Sequence, residues 1–344
     1  MKLKERISAF ATLGKKLREL INSGNDNILS DIINCQHLKN AWFTSENVRF
    51  AISSIAESLT EEAIEKWLSK YPELSNVTKP VTIGVIMAGN IPLVGFHDFM
   101  CTLITGNKII AKTSSKDSDL IVYIAKMLCE INNDFNKLID FTQNSLTGFD
   151  AVIATGSNNT SRYFEYYFGK YPNIIRKNRN SIAVIDGNES EYELKELGHD
   201  VFSYFGLGCR NVSKIYIPTG YKLNNLVDNW NSYANVINNN KYANNYDFYK
   251  AVYLVNRDKF IDIGYLLLKE ENTISSPVSV LYYEYYDSKT ELKTNIEKHK
   301  NSIQCIVSKN HVSFGKSQNP NLWDYSDGID TIEFILKIKS SIFL

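Results

Sequence analysis

The chain lacks any paired cysteine motif. Its five cysteines, Cys35, Cys101, Cys129, Cys209 and Cys305, lie far apart, with no CxxC and no histidine nearby at metal-ligand spacing. Neither a disulfide framework nor a zinc site is indicated. It also lacks charge of one sign, since 38 basic side chains balance 38 acidic ones. That removes the electrostatic reason to expect nucleic acid or an anionic membrane as partner, so any anion site has to be local. No apolar run is long enough to span a bilayer, and integral membrane association is not expected. No internal repeat recurs. The opening MKLKERISAFATLGKKLREL spaces Leu3, Ile7, Phe10, Leu13 and Leu17 as a helical stripe with charges on the other face, which reads as an amphipathic helix and not as a signal peptide. A cytoplasmic protein is the expectation, and the sequon Asn76-Val77-Thr78 then reflects only an asparagine-rich composition.

What is there supports two ordinary globular domains: 344 residues, 44% hydrophobic and 12% aromatic, enough for sizeable cores. The first seventy-odd residues read as helical and end at Tyr71-Pro72. From Val81 the pattern changes. VTIGVIMAGN is an apolar β run broken at Ala88-Gly89-Asn90, and a helix is expected over Leu93 to Ile104. Gly106-Asn107 turns the chain into the strand KIIAK (108–112), and Ser114 to Ser118 offer N-cap chemistry to a helix over Asp119 to Ile131. LIDF (138–141) and DAVIATG (150–156) continue the alternation, with a helix after Gly156, and SIAVIDG (181–187) is a further strand near a domain boundary. Strands alternating with helices at this spacing argue for an α/β fold with a parallel sheet of dinucleotide-binding type. The second half is less regular: a helix near 190–205, a strand from Val212 to Ile217, helices through about Leu268, then strands over 278–286 and 303–308. The asparagine-dense stretch 224–245 keeps helical apolar spacing at Leu226, Trp230, Tyr233 and Ile237, so it is not read as disordered. The expected division is a helical region over 1–78 packed on a dinucleotide-binding domain over 79–186, a second α/β domain over 187–320 that carries the thiol, and a C-terminal segment over 321–344.

The stretch YFGLGCRNVSKIYIP (204–218) sets Cys209 on a turn flanked by Gly206 and Gly208, between a helix and a strand. Glycine lets the chain turn sharply and lets a ligand approach the backbone. From this loop alone the thiol is either a presented nucleophile or a small buried filler, since free cysteine is among the most buried residues. Three other features precede it in order. Gly89-Asn90-Ile91-Pro92-Leu93 follows the first strand, Lys112 ends the second and runs into Ser114 and Ser115, and Ala154-Thr155-Gly156-Ser157 follows the fourth.

This order and spacing resemble the aldehyde dehydrogenase superfamily, and more closely its acyl-CoA reductase branch, the family of the fatty acyl-CoA reductase in bacterial luminescence. The resemblance runs from about Val81 to the C-terminus and includes RKNRNSIAVIDG (176–187), SSPVSVLYYEYYD (275–287) and FGKSQNPNLWDYSDGIDTIEFILKI (314–338). It implies an aldehyde dehydrogenase-like fold, with Cys209 as the acyl-accepting nucleophile. It also implies that the Asn90 side-chain amide and the Cys209 N–H stabilise the oxyanion. An asparagine after glycine at a strand end is also common turn chemistry. The resemblance further gives Lys112 to the adenosine ribose, with Ser114 and Ser115 beside it as cofactor-binding candidates, and Gly156 and Ser157, after Thr155, open a helix where free N–H groups and the dipole favour a pyrophosphate. On the residues alone, Lys112 reads equally as a solvated strand-end lysine and Ser157 as an ordinary N-cap, the more so because GSNNTS lacks the second glycine of many relatives.

Two departures from the pattern carry meaning. Where hydrolytic relatives have a Glu-Leu-Gly-Gly run, this chain has Arg176-Lys177-Asn178-Arg179, with no carboxylate to serve as general base. Where they carry an acidic residue after the cofactor lysine, it has Ser115 followed by Lys116. The first speaks against oxidation to an acid. The second, together with the hydroxyl-rich and positive run 112–116, points to NADPH, with NADH the alternative. The function implied is NAD(P)H-dependent reduction of an acyl thioester, either a fatty acyl-CoA or an acyl-carrier thioester, to the aldehyde. An acyl-activating enzyme as partner and a homo-oligomer are further expectations. Alternatives are a CoA-dependent acylating aldehyde dehydrogenase of short chains, an acyltransferase or thioesterase using Cys209 without nucleotide, and a non-catalytic acyl-binding homologue. His97 either lines the cofactor or acyl entrance or is structural. Tyr204, Phe205 and the Tyr282–Tyr286 cluster either wall an acyl tunnel or belong to the core.

Overall fold

A computed structural model describes residues 1–24, 26–76 and 79–343. The sequon Asn76-Val77-Thr78 therefore lies partly outside the described residues. The chain divides into two compact units, Met1–Lys177 with Asn319–Leu344, and Asn178–Gln318.

The first unit begins with α1 (Leu3–Ser23), α2 (Asn27–Lys39), α3 (Ser45–Ser58) and α4 (Glu61–Leu68). The apolar stripe of α1 is buried as its spacing requires, through Ile7, Phe10, Leu13 and Leu17, and α1 packs on α3. Asp26, Thr44 and Thr60 cap the three following helices by accepting the N–H three residues on, at 2.8, 3.2 and 3.1 Å. Next come β1 (Thr82–Ile86), α5 (Phe96–Ile104), β2 (Lys108–Lys112), α6 (Asp119–Ile131), β3 (Ile139–Thr142), β4 (Ala151–Thr155), α7 (Asn158–Phe168) and β5 (Asn173–Arg176). The sheet is parallel throughout, in the order β3-β2-β1-β4-β5. A central strand buried on both faces, as β4 is through Ala151, Val152, Ile153 and Ala154, is what a parallel sheet covered by helices demands.

Three sequence expectations shift here. The fifth strand is Asn173–Arg176, a run too short and too closely flanked by charge to announce itself. The helix expected from Leu93 starts at Phe96, because Leu93 takes a φ of 58° in a turn after Pro92. Ser118 does not cap α6 through its side chain; its hydroxyl donates to Asp119 Oδ1 at 3.0 Å instead.

The segment after Asn319 returns to this unit through α12 (Thr331–Phe343), which packs on α5. A buried ion pair helps to hold it. Arg176 Nη2 meets Asp98 Oδ1 at 2.7 Å and also donates to Thr331 Oγ1 at 3.0 Å. Trp67 and Tyr71 join Tyr325, each at 2.8 Å.

The second unit contains β6 (Asn180–Val184), α8 (Glu191–Phe202), β7 (Val212–Pro218), α9 (Asn224–Val227), α10 (Asn240–Asn256), β8 (Ile261–Asp262), β9 (Leu267–Glu270), β10 (Val280–Tyr286), α11 (Lys289–Lys298) and β11 (Ile303–Val307). The sheet order is β11-β6-β7-β10-β9-β8, parallel except for the β8–β9 hairpin. The expected boundary at 186/187 thus moves to 177/178, because residues 180–184 pair with β7 and β11 and not with the first sheet. The helices expected through Leu268 stop at Asn256, since the chain turns at Gly264 (φ 88°) into an edge hairpin. The asparagine-dense stretch is folded: Trp230 is fully buried and its indole N–H donates to the Leu194 carbonyl at 2.8 Å.

Candidate active site

In the first unit the residues assigned to oxyanion and cofactor lie on turns that leave the C-terminal ends of parallel strands, the usual place for a ligand in an open α/β sheet. Asn90 is exposed on the turn after β1. That turn is held at both ends: Asn40 Nδ2 donates to the Gly89 carbonyl at 3.1 Å, and the Leu93 N–H donates to Asp117 Oδ2 at 2.7 Å. Gly89 is required by packing, because a Cβ there would lie 2.5 Å from Ser114 Oγ. Lys112 closes β2, its carbonyl accepting the Met87 N–H at 3.0 Å. Beyond it, residues 114–117 form a tight turn. The Asp117 N–H donates to the Ser114 carbonyl at 3.0 Å and the Lys116 N–H to Ser114 Oγ at 3.2 Å, while Ser115 is exposed.

Thr155 ends β4, and Gly156 leads into α7, so close beneath it that a Cβ would lie 2.9 Å from the Phe164 ring. Ser157 acts as the N-cap of α7, with Oγ accepting the Thr160 N–H at 3.2 Å. The N-cap reading of Ser157 is therefore realised. A cavity of about 580 Å³ opens beside the ends of β2 and β3. Its apolar part is Ile28, Ile32, Val122 and Phe141, and its polar part includes Thr113, Ser118, Lys126 and Gln143.

The strand end also carries carboxylates that the sequence reading left out. Asp119 is ion-paired with Lys39 at 2.6 Å. Burial alone would raise its pKa, but Lys39 and Ser118 hold it below the ordinary range. Asp117 is buried and accepts the Leu93 N–H, and burial pushes its carboxyl up to about 7.

In the second unit Cys209 is half-buried, on the loop between α8 and β7. Three successive residues before it, Tyr204, Phe205 and Gly206, have φ of 51°, 58° and 76°. Bulky residues occupy that region only when their surroundings enforce it, and such enforced turns concentrate at functional sites. Asn211 does much of the enforcing, as a side chain the sequence reading passed over. It is buried, accepts the Gly208 N–H at 2.8 Å, and donates to the carbonyls of Ser203 at 2.8 Å and Asp200 at 3.1 Å. The loop is thus stapled to the end of α8. An asparagine two residues after the thiol is the only signal in the sequence, and it reads as generic turn chemistry. Ser181 on β6 supports the loop from the other side, donating to the Cys209 carbonyl at 3.0 Å. Asp200, fully buried on α8, accepts the N–H groups of Gly315 and Ser317 at 2.6 and 2.9 Å, tying the motif 314–318 to the same helix.

The remaining cysteines are less suited to nucleophilic attack. Burial raises the thiols of Cys101, Cys129 and Cys305, and the thiolate is the reactive form. His97 is structural: Nε2 donates to the Leu322 carbonyl at 2.8 Å, and the ring packs against Trp67 and Tyr325. Tyr204 is buried, and Tyr286 donates to the Ile185 carbonyl at 2.8 Å from the central strand β10. These two aromatics are core. Arg176 is committed to Asp98, and Arg179 donates to the Ile303 carbonyl at 3.3 Å.

The architecture is that of the aldehyde dehydrogenases. Aldehyde dehydrogenase 21 from Physcomitrella patens, solved with succinate, superposes with a TM-score of 0.69 at 13% identity, over 98% of this chain and 85% of that one. An aldehyde dehydrogenase of Mycobacterium tuberculosis solved with NAD+ gives 0.63 at 13% identity, over 89% and 73%. At such identity the likeness shows the fold alone. The chain belongs to the acyl-CoA reductase (LuxC) family, whose sequence model matches residues 39–230. That span includes Asn90, Lys112, Gly156 and Cys209; it begins before the resemblance read from Val81 and stops short of the closing motif 314–338. A long-chain acyl-protein thioester reductase of Aliivibrio fischeri is 22% identical over 204 residues, 54% of this chain. The chain covers only 42% of that relative's length. Among the described residues no helix is long and apolar enough to cross a membrane, and no cluster of side chains could hold a metal ion.

Proposed function

We propose that the protein reduces an acyl thioester to the aldehyde through a thioacyl group carried on Cys209, with NADPH as reductant. The observation that carries the reading is a half-exposed cysteine on a stapled loop that follows three left-handed residues, within the span matched to the acyl-CoA reductase family. The thiolate attacks the thioester carbon, the oxyanion is met by the Asn90 amide and the Cys209 N–H, and the thiol of the donor leaves. The cofactor, when bound, supplies the hydride. Collapse of the resulting hemithioacetal releases aldehyde and returns the Cys209 thiol.

Support for a nicotinamide cofactor comes from the parallel sheet, from the partly apolar cavity beside the ends of β2 and β3, and from the neighbour solved with NAD+. Lys112, Ser114 and Ser115 would face the ribose, and the N-terminus of α7 after Gly156 the pyrophosphate, with Thr155 and Ser157 flanking it. A preference for NADPH follows from the positive, hydroxyl-rich strand end, where Asp117 turns inward and Asp119 is paired with Lys39. Charge-assisted contacts to a phosphate are the stronger class of hydrogen bond. The kcat/KM for NADPH is expected to exceed that for NADH, with Lys112→Ala lowering both and eroding the preference. A clear preference for NADH in the wild-type protein would refute this assignment.

Long-chain acyl groups on CoA or on a carrier protein are the proposed substrates, and an acyl-activating enzyme the proposed partner. The direction follows from the stretch 176–179. Hydrolysis of a thioacyl enzyme needs a base for water, and here Arg176 is locked to Asp98 while Lys177 pairs with Glu165 at 2.8 Å. The test is incubation with NADPH and a panel of acyl-CoAs, following cofactor absorbance and aldehyde. The reverse assay uses aldehyde and NADP+ with and without CoA. Aldehyde formation forward, and oxidation only when CoA is present, are expected. Sustained acid formation without CoA would mean that a base operates and would contradict the proposal.

A further inference from the structure

The turn that carries Asn90 and the turn that follows Lys112 meet at one carboxyl group. Asp117 is only 5% exposed; its Oδ2 accepts the Leu93 N–H, and its Oδ1 is buried with no hydrogen-bond partner. A carboxyl group so placed is costly to bury. What it holds is a leucine at φ 58°, a backbone state that persists only where neighbours impose it. At the other end of the same turn Asn40 holds the Gly89 carbonyl, and Gly89 lies directly against Ser114. Asp117 and Ser114 are themselves joined by a short antiparallel bridge. The two turns therefore form one braced piece.

We infer that Asp117 is a positioning residue for thioester reduction, fixing the turn that aims the Asn90 amide and doing so from the segment assigned to the cofactor ribose. This rests on the reading of Asn90 as an oxyanion donor. It assigns Asp117 no contact with substrate or cofactor.

The charges around the group set how it responds to pH. Burial raises Asp117 to about 7, the Leu93 bond opposes the rise, and Asp119 adds to it. Asp119 is in turn paired with Lys39 from α2, and Lys116 is exposed in the same turn as Asp117. Above about 7 the carboxylate is ionised and the bond from Leu93 is charge-assisted; below, the carboxyl is neutral and the bond weaker. Turnover is therefore expected to fall as pH drops through about 7. Stability moves the other way. A carboxyl group raised on folding keeps a proton that the unfolded chain releases, so its contribution to stability is lost as pH rises from the ordinary carboxylate range to about 7.

Two variants separate these effects. Asp117→Ala removes the acceptor, and Asp117→Asn keeps an acceptor without the charge. At pH 8, kcat of Asp117→Ala is expected to fall about 10–10²-fold, as for a misplaced catalytic group, with the NADPH dissociation constant changed less than about threefold. Asp117→Asn is expected to turn over at pH 8 at about the reduced level that the wild type reaches below about 7, above that of Asp117→Ala, to lose the acid limb of the profile, and to melt no lower than the wild type at that pH. Hydrogen exchange at the Leu93 amide reads the brace without any turnover: slow in the wild type, fast in Asp117→Ala. An Asp117→Ala protein that keeps Leu93 slow, or keeps kcat within about twofold of the wild type against that expected range, overturns the inference. A wild-type protein that reduces no acyl thioester refutes instead the reading of the site, while the exchange at Leu93 still decides whether Asp117 holds the turn.

Discussion

Cys209→Ala is expected to lose acyl uptake altogether and to lower turnover by about 10⁴-fold or more, the scale seen when a covalent nucleophile is removed. The effect should be that large because no other thiol can substitute. Cys101 has no solvent exposure and its thiol is raised well above the usual value by burial. Burial raises Cys305 as well, and its Sγ, on the edge strand β11, lies 3.0 Å from Ser181 Oγ. Cys35 is exposed but sits on α2, a helix with no turn to bring its backbone N–H to an oxyanion. Folding is expected to survive the substitution, since Asn211 and Ser181 staple the loop through groups that the substitution leaves in place. Melting temperature and turnover therefore separate cleanly in this variant. Residual turnover above about one per cent of wild type, far above the expected residue, would mean that the acyl group travels another way.

Asn90→Ala should rank next, lowering kcat by about 10²–10³, or roughly 3–4 kcal/mol of transition-state stabilisation. The turn itself is expected to persist, because its anchors are the Gly89 carbonyl and the Leu93 amide, held by Asn40 and Asp117. NADPH affinity should change little, since the donor acts on an oxyanion that exists only during reaction. Titration of intrinsic fluorescence gives the affinity and steady-state assays give kcat. A loss of less than about fivefold, against that expected range, would return Asn90 to the turn chemistry that its sequence context also allows.

The strands over 82–86, 108–112, 151–155 and 212–218 were legible because strands of a parallel sheet covered by helices read as short apolar runs broken by turn residues. The glycine-flanked thiol and the Gly-Asn turn were legible for a related reason, since glycine marks backbone that has to bend or be approached. What escaped was set by tertiary context. Residues 173–176 form a strand only beside β4, and Arg176 lies buried there only because Asp98 and Thr331 receive it. The unit boundary moved because the strand 180–184 looks the same in sequence whichever sheet it joins. Asn40 and Asp117 were unreadable as supports, because a polar side chain that braces a turn from a distant element carries no local signature, and Asn211, in the thiol's own loop, reads only as generic turn chemistry. The run Ser114 to Ser118 looked like a helix cap, and the structure uses Ser114 and Asp117 to brace two turns instead.

The most direct test of the central claim is the mass of the intact protein after mixing with a long-chain acyl-CoA in the absence of NADPH, followed by peptide mapping. A single acyl group on the peptide containing Cys209, discharged as aldehyde when NADPH is added, is the expected result. An adduct on Cys101, Cys129 or Cys305, or aldehyde formed by a Cys209→Ala protein that never takes up the acyl group, would contradict it.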